Sequence, residues 1–261
     1  MGTRALSKFD ERLGVNRVGV VAALPAEYRT VRAVCRAADG ALAVCAGVGA
    51  DRAVQAAESL LDGGVTALLS WGCAGALVSE LAPGSLVVPQ SVVGADGAQI
   101  LVDRAWHGRL CGKLHEAFRV HTGKIAESSG VLVDPAAKSV LASRSGAVAV
   151  DMESAALGRI ASERGVAFAV VRAVADSARQ LLPDGLVAAL DEEGRVRPSV
   201  LLSGMGFRLR RWGRLWSAAR VYREACASLR RAAIIAVPVT PWGSEQERQR
   251  EPQASPRHGT G

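Results

Sequence analysis

Several features that mark common protein classes are missing from this chain of 261 residues. Its five cysteines include no CxxC pair, and its four histidines lack the spacing typical of zinc ligands. We therefore expect reduced, cytoplasmic thiols that pack as small hydrophobes, and chemistry without a metal ion. The phosphate loop GxxxxGK[ST] is also missing, so the chain does not have the defining motif of a P-loop nucleotide-binding protein.

Long apolar runs are missing as well. The first apolar run, from Val18, stops at Pro25, and no later stretch approaches 18 apolar residues, so we expect neither a signal peptide nor a membrane span. Internal repeats and interdomain linkers do not occur, and the length suits one domain. We place an N-terminal extension at 1–16, the domain at 17–236 and a disordered tail at 237–261.

What the chain does contain is an alternation of strand-like and helical segments. The apolar, strand-like runs lie at 17–24, 41–46, 65–71, 85–89, 120–126, 147–150 and 166–174. The helical stretches between them lie at about 27–36, 51–62, 104–117, 135–143 and 152–163. This alternation predicts an α/β fold: a single domain with a mainly parallel central sheet flanked by helices.

Acidic residues follow three of these runs at the point where each run ends. Glu27 follows the first run, Glu153 the sixth and Asp176 the last, and Asp151 fits a helix cap. Any one of these acids alone would be read as a cap or a turn residue. Because the carboxyl ends of parallel strands converge on one crevice, three acids placed in this way predict an enzyme site.

Two small-residue loops also follow strand-like runs. One contains Gly47 and Gly49, and the other runs from Gly72 to Gly75. Glycines in such loops let a ligand approach backbone N–H groups, and the helix expected from Asp51 would favour an anion or a polarised water at its start. Each loop alone is weak evidence, because GxG occurs in many tight turns.

Taken together, these segments resemble the nucleoside phosphorylase/nucleosidase superfamily. The resemblance runs from Arg17 to Asp176 and is carried by VGVVAALPAE (18–27), AGVG (46–49), SWGCAG (70–75), VAVDMESAAL (148–157) and VVRAVAD (170–176). The segment VAVDMESAAL is the most specific of these, since it is similar to the start of the ribose-binding helix of the family. The resemblance implies the family's α/β fold and cleavage at a nucleoside's glycosidic bond.

The resemblance also implies roles for single residues. Glu153 would accept hydrogen bonds from the 2′- and 3′-hydroxyls, with Met152 against the ribose. Asp176 would protonate N7 of the purine, and Glu27 would activate the attacking water. The substrate site would further include Ala74, Gly75, Leu132 and Val133, with Gly47 and Gly49 as an anion or water loop.

Three positions depart from the family pattern. Ser70 stands where phosphorylases carry a phosphate-binding arginine, which favours hydrolysis over phosphorolysis. Ala175 replaces the serine that precedes the acid in the nucleosidase branch, so Asp176 must be oriented by another group. Leu132 stands where an aromatic side chain stacks on the base. Phosphorolysis stays open, with inorganic phosphate as co-substrate, and we expect no other cofactor.

The C-terminal part carries the excess positive charge. Eight arginines lie between Gly204 and Arg231 against the single acid Glu224, in a chain of net charge +7. We expect Arg/Trp-rich helices over 198–232, broken at Trp212–Gly213. Such a surface suits anionic lipid, and a solvated helix face is the alternative.

This extension, with the tract LLPDGLVAALDEEGRVRP (181–198), resembles the hopanoid-associated branch of the family. That branch implies cleavage of adenosylhopane to ribosylhopane and adenine by a homo-oligomeric cytoplasmic protein, peripheral at the inner face of the plasma membrane. Three alternatives stay open: a soluble nucleosidase for methylthioadenosine, adenosylhomocysteine or futalosine, a phosphorylase, and a basic peripheral protein without catalysis. We expect no nucleic-acid partner.

Overall fold

The computed structural model describes residues 16–182, residue 191 and residues 209–242 of the chain. Its strands are β1 (Val18–Ala22), β2 (Ala41–Cys45), β3 (Ala67–Ala76), β4 (Leu86–Val87), β5 (Ser91–Val93), β6 (Gln99–Leu101), β7 (Val120–His121), β8 (Ile125–Glu127), β9 (Ala149–Asp151) and β10 (Ala167–Asp176). Its helices are α1 (Pro25–Ala37), α2 (Ala50–Asp62), α3 (Arg104–Leu114), α4 (Pro135–Ser145), α5 (Ser154–Glu163) and α6 (Leu209–Ala236). The predicted α/β fold is confirmed.

All ten strands of the described residues join one mixed sheet. Along the sheet the order is β6, β5, β8, β9, β3, β10, β4 and β7, with β1 between β2 and β3. The long central pairings, β1 with β2, β1 with β3 and β3 with β10, are parallel. Their carboxyl ends therefore lie at the same edge, where β1 leads to Glu27 and β10 ends at Asp176. The third acid, Glu153, follows β9, which pairs antiparallel with β3, so the expected parallel arrangement does not hold for it.

Helices cover both faces of the sheet, because successive strand residues point to opposite sides. On one face, Val20 belongs to a core with Trp71, Trp106 and Leu229, supplied by β3, α3 and α6. On the other face, Val21 packs in a separate core that includes residues of α2 and α5. The central strands are thus buried on both sides, which explains their near-continuous apolar sequences.

The sequence did not reveal the two short strands at one end of the sheet. β5 and β6 form an antiparallel hairpin in which Ser91 pairs with Leu101. They are three residues long and contain polar side chains, so they give no apolar run. The predicted strand 120–126 is in fact two strands, β7 and β8, which pair with β4 and β5 respectively.

The predicted helix break at Trp212–Gly213 is wrong. α6 continues through both residues for 28 residues. A glycine inside a helix costs only about 1 kcal/mol relative to alanine, and the tertiary packing of buried residues such as Ala225 and Leu229 outweighs that cost. Most of the predicted helix 198–211 lies outside the described residues.

The folded part also extends beyond the predicted limit at residue 236. Val237 is buried, and the indole Nε1 of Trp106 donates to the carbonyl of Val239 at 2.7 Å. These contacts fix residues 237–242 against α3, because the side chains of α3 give the segment buried partners. Residues 243–261 of the predicted tail (237–261) and residues 1–15 of the predicted extension (1–16) lie outside the described residues. None of the described helices is long and apolar enough to cross a membrane.

Candidate active site

A cavity of about 220 Å³ opens at the carboxyl ends of β1, β3 and β10. Its lining includes seven of the residues predicted for the site, which are Glu27, Ala74, Gly75, Leu132, Met152, Glu153 and Asp176. The lining also includes Leu24, Val48, Lys138 and Tyr222. The three acids from distant parts of the sequence therefore face one cavity.

Glu27 is fixed at the bottom of the cavity by backbone donors. Its Oε1 accepts from the N–H of Cys73 at 2.8 Å, and its Oε2 accepts from the N–H of Leu24 at 3.0 Å. The second bond is half of a capping box, since Glu27 is the third residue of α1. Burial raises the pKa of Glu27, whereas the nearby Arg172 and the two N–H donors act in the opposite direction.

Glu153 stands at the start of α5 and reaches the glycine loop. Its Oε1 accepts from the N–H of Gly49 at 3.1 Å, and Gly49 has a φ of 104°, a conformation that side-chain-bearing residues rarely adopt. Burial, reinforced by the neighbouring Asp151, raises the pKa of Glu153 to about 7. Burial thus places the pKa of this carboxyl group near neutral pH, and among the described residues no hydrogen bond is formed to its other oxygen.

Arg172 is a buried charge in the middle of β10 that the sequence analysis did not single out. Its Nε donates to Asp151 Oδ2 at 2.6 Å, and its second terminal nitrogen donates to the hydroxyls of Ser70 and Ser154 at 2.8 and 3.0 Å. Arg172 is not among the residues that line the cavity, so it lies beneath the site and ties β10 to β3 and α5. A charged residue inside the apolar run VVRAV was a usable signal for a buried pair.

Asp151 was predicted to be a helix cap. The N-cap position of α5 is held by Glu153, but the Asp151 carboxylate bonds to the first N–H of the helix. Its Oδ1 accepts from the N–H of Ser154 at 3.2 Å. The same carboxylate also pairs with Arg172 and accepts from the hydroxyl of Ser154. The capping role is therefore combined with neutralisation of a buried cation. By contrast, the helix predicted to start at Asp51 begins one residue earlier, at Ala50.

Asp176 ends β10 and forms an ion pair with Lys138 of α4. The ammonium of Lys138 also donates to the carbonyl of Ser177 at 3.0 Å, and the Lys138 side chain is 1% exposed. Burial raises the pKa of Asp176, and the adjacent ammonium opposes that rise. Lys138 was not predicted, because a lysine in a helix is ordinarily solvent-exposed.

A bulge at the end of β10 affects the position of this acid. Val174 pairs with Ala74, but the next pair joins Asp176 to Gly75, so Ala175 is an extra residue. Both Ala175 and Asp176 line the cavity, although neighbouring residues of a regular strand point to opposite faces. Gly75 makes the acid's position possible, since a Cβ there would come within 2.9 Å of Asp176 Oδ1.

Three of the predicted site residues do not line this cavity. Gly47 donates its N–H to the carbonyl of Ala23 at 3.1 Å, so it holds the loop in place without lining the cavity. Gly49 donates its N–H to Glu153 and lines the neighbouring cavity described below. Val133 accepts from the N–H of Leu182 at 3.1 Å, which directs its backbone away from the site. Leu132, its neighbour, does line the cavity.

A second cavity, of about 550 Å³, adjoins the first at Val48 and Met152. Its lining contains two acids and two arginines, which are Asp51, Glu127, Arg52 and Arg159. The carboxylate of Glu127 accepts from the N–H of Ala95 at 3.3 Å and lies 3.9 Å from Arg159. A ligand that extended from the Glu153 end of the first cavity would reach this polar space.

An acid-lined cavity at the carboxyl edge of an α/β sheet is typical of an enzyme site. A family model described as the Phosphorylase superfamily matches residues 20–202, so the chain belongs to the phosphorylase superfamily. It is an enzyme that acts on nucleosides. A search of curated protein sequences gives no significant match.

Solved structures with a similar fold include three nucleosidases or hydrolases. The futalosine hydrolase of Helicobacter pylori has a TM-score of 0.66 at 18% identity, over 86% of this chain and 98% of that one. The 5′-methylthioadenosine/S-adenosylhomocysteine nucleosidase of the same organism has a TM-score of 0.60 at 20% identity, over 80% and 99%. A putative nucleosidase of the latter type from Francisella philomiragia has a TM-score of 0.66 at 16% identity, over 86% and 98%. At these identities the likeness establishes the fold.

Proposed function

We propose that this protein hydrolyses the N-glycosidic bond of an adenine nucleoside. The observation that carries the proposal is the convergence of Glu27, Glu153 and Asp176 on one cavity of about 220 Å³. The names of the structural neighbours agree with it, since they describe enzymes that act on methylthioadenosine, adenosylhomocysteine or futalosine. A protein that only binds a ligand would not need an acid beside the leaving base.

Each acid has a separate task in this reaction. Glu153 accepts hydrogen bonds from the ribose diol with the oxygen that Gly49 leaves available. Glu27 takes a proton from water as the water oxygen bonds to C1′. The bond from C1′ to N9 breaks, its electron pair stays on the purine, and Asp176 delivers a proton to N7. Adenine then leaves as a neutral molecule.

Hydrolysis is favoured over phosphorolysis by the charges around the cavity. Among its described lining residues, Lys138 is the one basic side chain, and it is paired with Asp176. Arg172, which lies near the predicted arginine position at Ser70, is paired with Asp151. A phosphate dianion would thus meet Glu27 without an unpaired cation in the lining, whereas a neutral water needs none.

For the particular substrate we propose adenosylhopane, in which a triterpene is bonded to the ribose 5′ carbon. In support, Tyr222 of α6 lines the cavity, and Trp216, about 9 Å earlier along the helix, is 66% exposed. Arg214, Arg220 and Arg223 are exposed on the same helix. An exposed tryptophan among arginines suits the headgroup region of anionic lipid, where a lipidic substrate resides.

A soluble nucleoside with a polar 5′ substituent is the second candidate. The observation that favours it is the charged cavity next to Met152, which offers hydrogen-bonding partners rather than an apolar wall. A substituent such as an amino acid or a carboxylate would find both signs of charge there. The two candidates differ in the direction in which the 5′ group leaves the ribose.

Adenine release separates these possibilities. The purified protein should release adenine from adenosylhopane in mixed micelles without added phosphate, faster than it releases the purine base from methylthioadenosine, adenosylhomocysteine or futalosine at equal concentration. A preference for the soluble nucleosides would favour the charged cavity as the 5′ site. Formation of a ribosyl phosphate that depends on added phosphate would overturn hydrolysis. The absence of purine-base release from all four substrates would overturn the proposed function.

A further inference from the structure

Lys138 is a buried cation that has no role in the reaction steps proposed for the three acids. Its side chain is 1% exposed, it lines the cavity, and its ammonium contacts Asp176 Oδ2 and the carbonyl of Ser177. Taking an ammonium out of water is expensive unless it is paired. A buried lysine at this position therefore needs a reason beyond stability.

The local sequence fixes where Lys138 can reach. Asp134 caps α4 by accepting from the N–H of Ala136 at 2.9 Å, and Pro135 starts the helix. Lys138 is then one turn into α4, and its N–H donates to the carbonyl of Asp134 at 3.1 Å. Its side chain leads from this first turn to the end of β10. The cap thus sets the position from which the ammonium approaches the acid.

The partner of Lys138 has no other side-chain ligand among the described residues. The residue before it is Ala175, which offers no hydroxyl, and on the other side Gly75 provides only space. Without Lys138, the Asp176 carboxyl group would have no side-chain partner among the described residues and would be free to rotate. The ammonium and the Ser177 carbonyl together restrict Asp176 to one orientation.

We propose that Lys138 is the positioning residue of Asp176 and that it also stabilises the carboxylate left behind after proton transfer. This inference rests on the proposed cleavage of the glycosidic bond. As the proton moves from Asp176 to N7 and the electron pair of the broken bond stays on the purine, negative charge appears on the Asp176 carboxylate. That charge forms beside an ammonium that is already in place, so no group has to move at that moment.

The charges around Asp176 indicate that a change in its pKa can be assigned to Lys138. The other titratable groups that line the cavity are Glu27 on α1, Cys73 on β3, Asp151 on β9, Glu153 before α5 and Tyr222 on α6. Among the described residues, however, Lys138 is the charged group that bears on the Asp176 carboxyl. Removing its charge should therefore raise the pKa of Asp176, whereas changes at the other acids should affect it less.

Two measurements on the full-length protein test the inference. In ¹³C NMR titrations of the aspartate carboxyl groups, with Asp176→Asn for assignment, Lys138→Met should raise the pKa of Asp176. In kinetics, the kcat/KM of the same variant for adenine release should fall roughly tenfold or more. The basic limb of its pH–rate profile should move to higher pH, because the pKa of Asp176 is raised. Lys138→Arg should restore part of the rate. Lys113→Met, at an exposed lysine of α3, is the matched control and should match wild type.

A substrate with a leaving group that needs no proton separates positioning from a general structural role. With 4-nitrophenyl β-D-riboside, Lys138→Met should stay within about threefold of wild type, because Asp176 has no proton to deliver. Equal losses on both substrates, or an unchanged Asp176 titration, would overturn the role of Lys138. If wild type cleaves neither substrate while the titration shifts as expected, the proposed function fails and the pairing of Lys138 with the acid stands.

Discussion

The raised pKa of the buried Glu153 carboxyl group leads to a prediction about stability as well as activity. Its pKa lies at about 7 instead of 4.5, chiefly because of burial and then because of Asp151. One pKa unit corresponds to about 1.4 kcal/mol, so keeping Glu153 ionised in the folded protein costs up to about 3 kcal/mol. Glu153→Gln removes this cost, and the amide oxygen can still accept from Gly49 N–H.

The sign follows from the raised pKa. The folded protein binds the Glu153 proton more tightly than the unfolded chain, so the stability that this group contributes is fully present below pH 4.5. It is lost as the pH rises through about 7. The Gln variant does not titrate, and it should therefore become progressively more stable than wild type between those two pH values, by up to about 3 kcal/mol at pH 8.

Urea unfolding at pH 4.5 and pH 8 measures this difference directly, with Glu80→Gln at an exposed position as the control. A variant that gains nothing at pH 8, or gains equally at both pH values, would refute the burial cost of Glu153. The same variant should lose recognition of the ribose diol, so a 2′-deoxy adenine nucleoside should suffer little further penalty in it. Wild type should likewise bind the diol less tightly as the pH falls through about 7, because a protonated carboxyl group offers fewer acceptors.

Three further predictions concern the acid, its glycine neighbour and the basic helix. Asp176→Asn should keep the fold but lower kcat/KM for adenine release by roughly 100-fold or more, about 3 kcal/mol, because an amide cannot protonate N7; turnover near wild type would contradict this assignment. Gly75→Ala should reduce adenine release by about tenfold, since its Cβ would displace the Asp176 carboxyl from its present position, and an unchanged rate would show that the acid tolerates movement. Changing Arg214, Arg220 and Arg223 together to Gln should reduce co-sedimentation with anionic vesicles to the level seen with neutral vesicles, since each arginine contributes about 1 kcal/mol to binding. Equal pelleting of the wild type and the variant would mean that these arginines form a solvated helix face.

The sequence predicted those parts of the site that depend on strand ends. Glu27 and Asp176 come at the ends of β1 and β10, which both pair in parallel with β3, so these two positions come together regardless of sequence distance. Glu153 follows β9, which pairs antiparallel with β3, so the expected parallel arrangement was wrong for this acid although it lines the same cavity. The short strands β5 and β6 were missed, since three residues are too few to carry a periodic signal. The break predicted at Gly213 was wrong, because local helix propensity is weak against the packing of a long buried face.

The two cations of the site illustrate different limits of sequence reasoning. Arg172 interrupts an apolar strand, so a buried partner for it was predictable even though its identity was not. Lys138 lies in a helix of ordinary composition, 38 residues before its partner in the chain. Its burial follows from where α4 docks, which depends on the whole sheet. Tertiary placement of this kind cannot be read from the spacing of residues.

The bulge at the end of β10 gives the fold two neighbouring positions, 175 and 176, that face the same ligand. In this chain the first position holds a methyl group, and the task of orienting the acid belongs to an ammonium from another element. A hydroxyl at position 175 would place a hydrogen-bond donor beside the same carboxyl group. The same carboxyl group can therefore be oriented either from its own strand or from a neighbouring helix, without a change in the position of the acid.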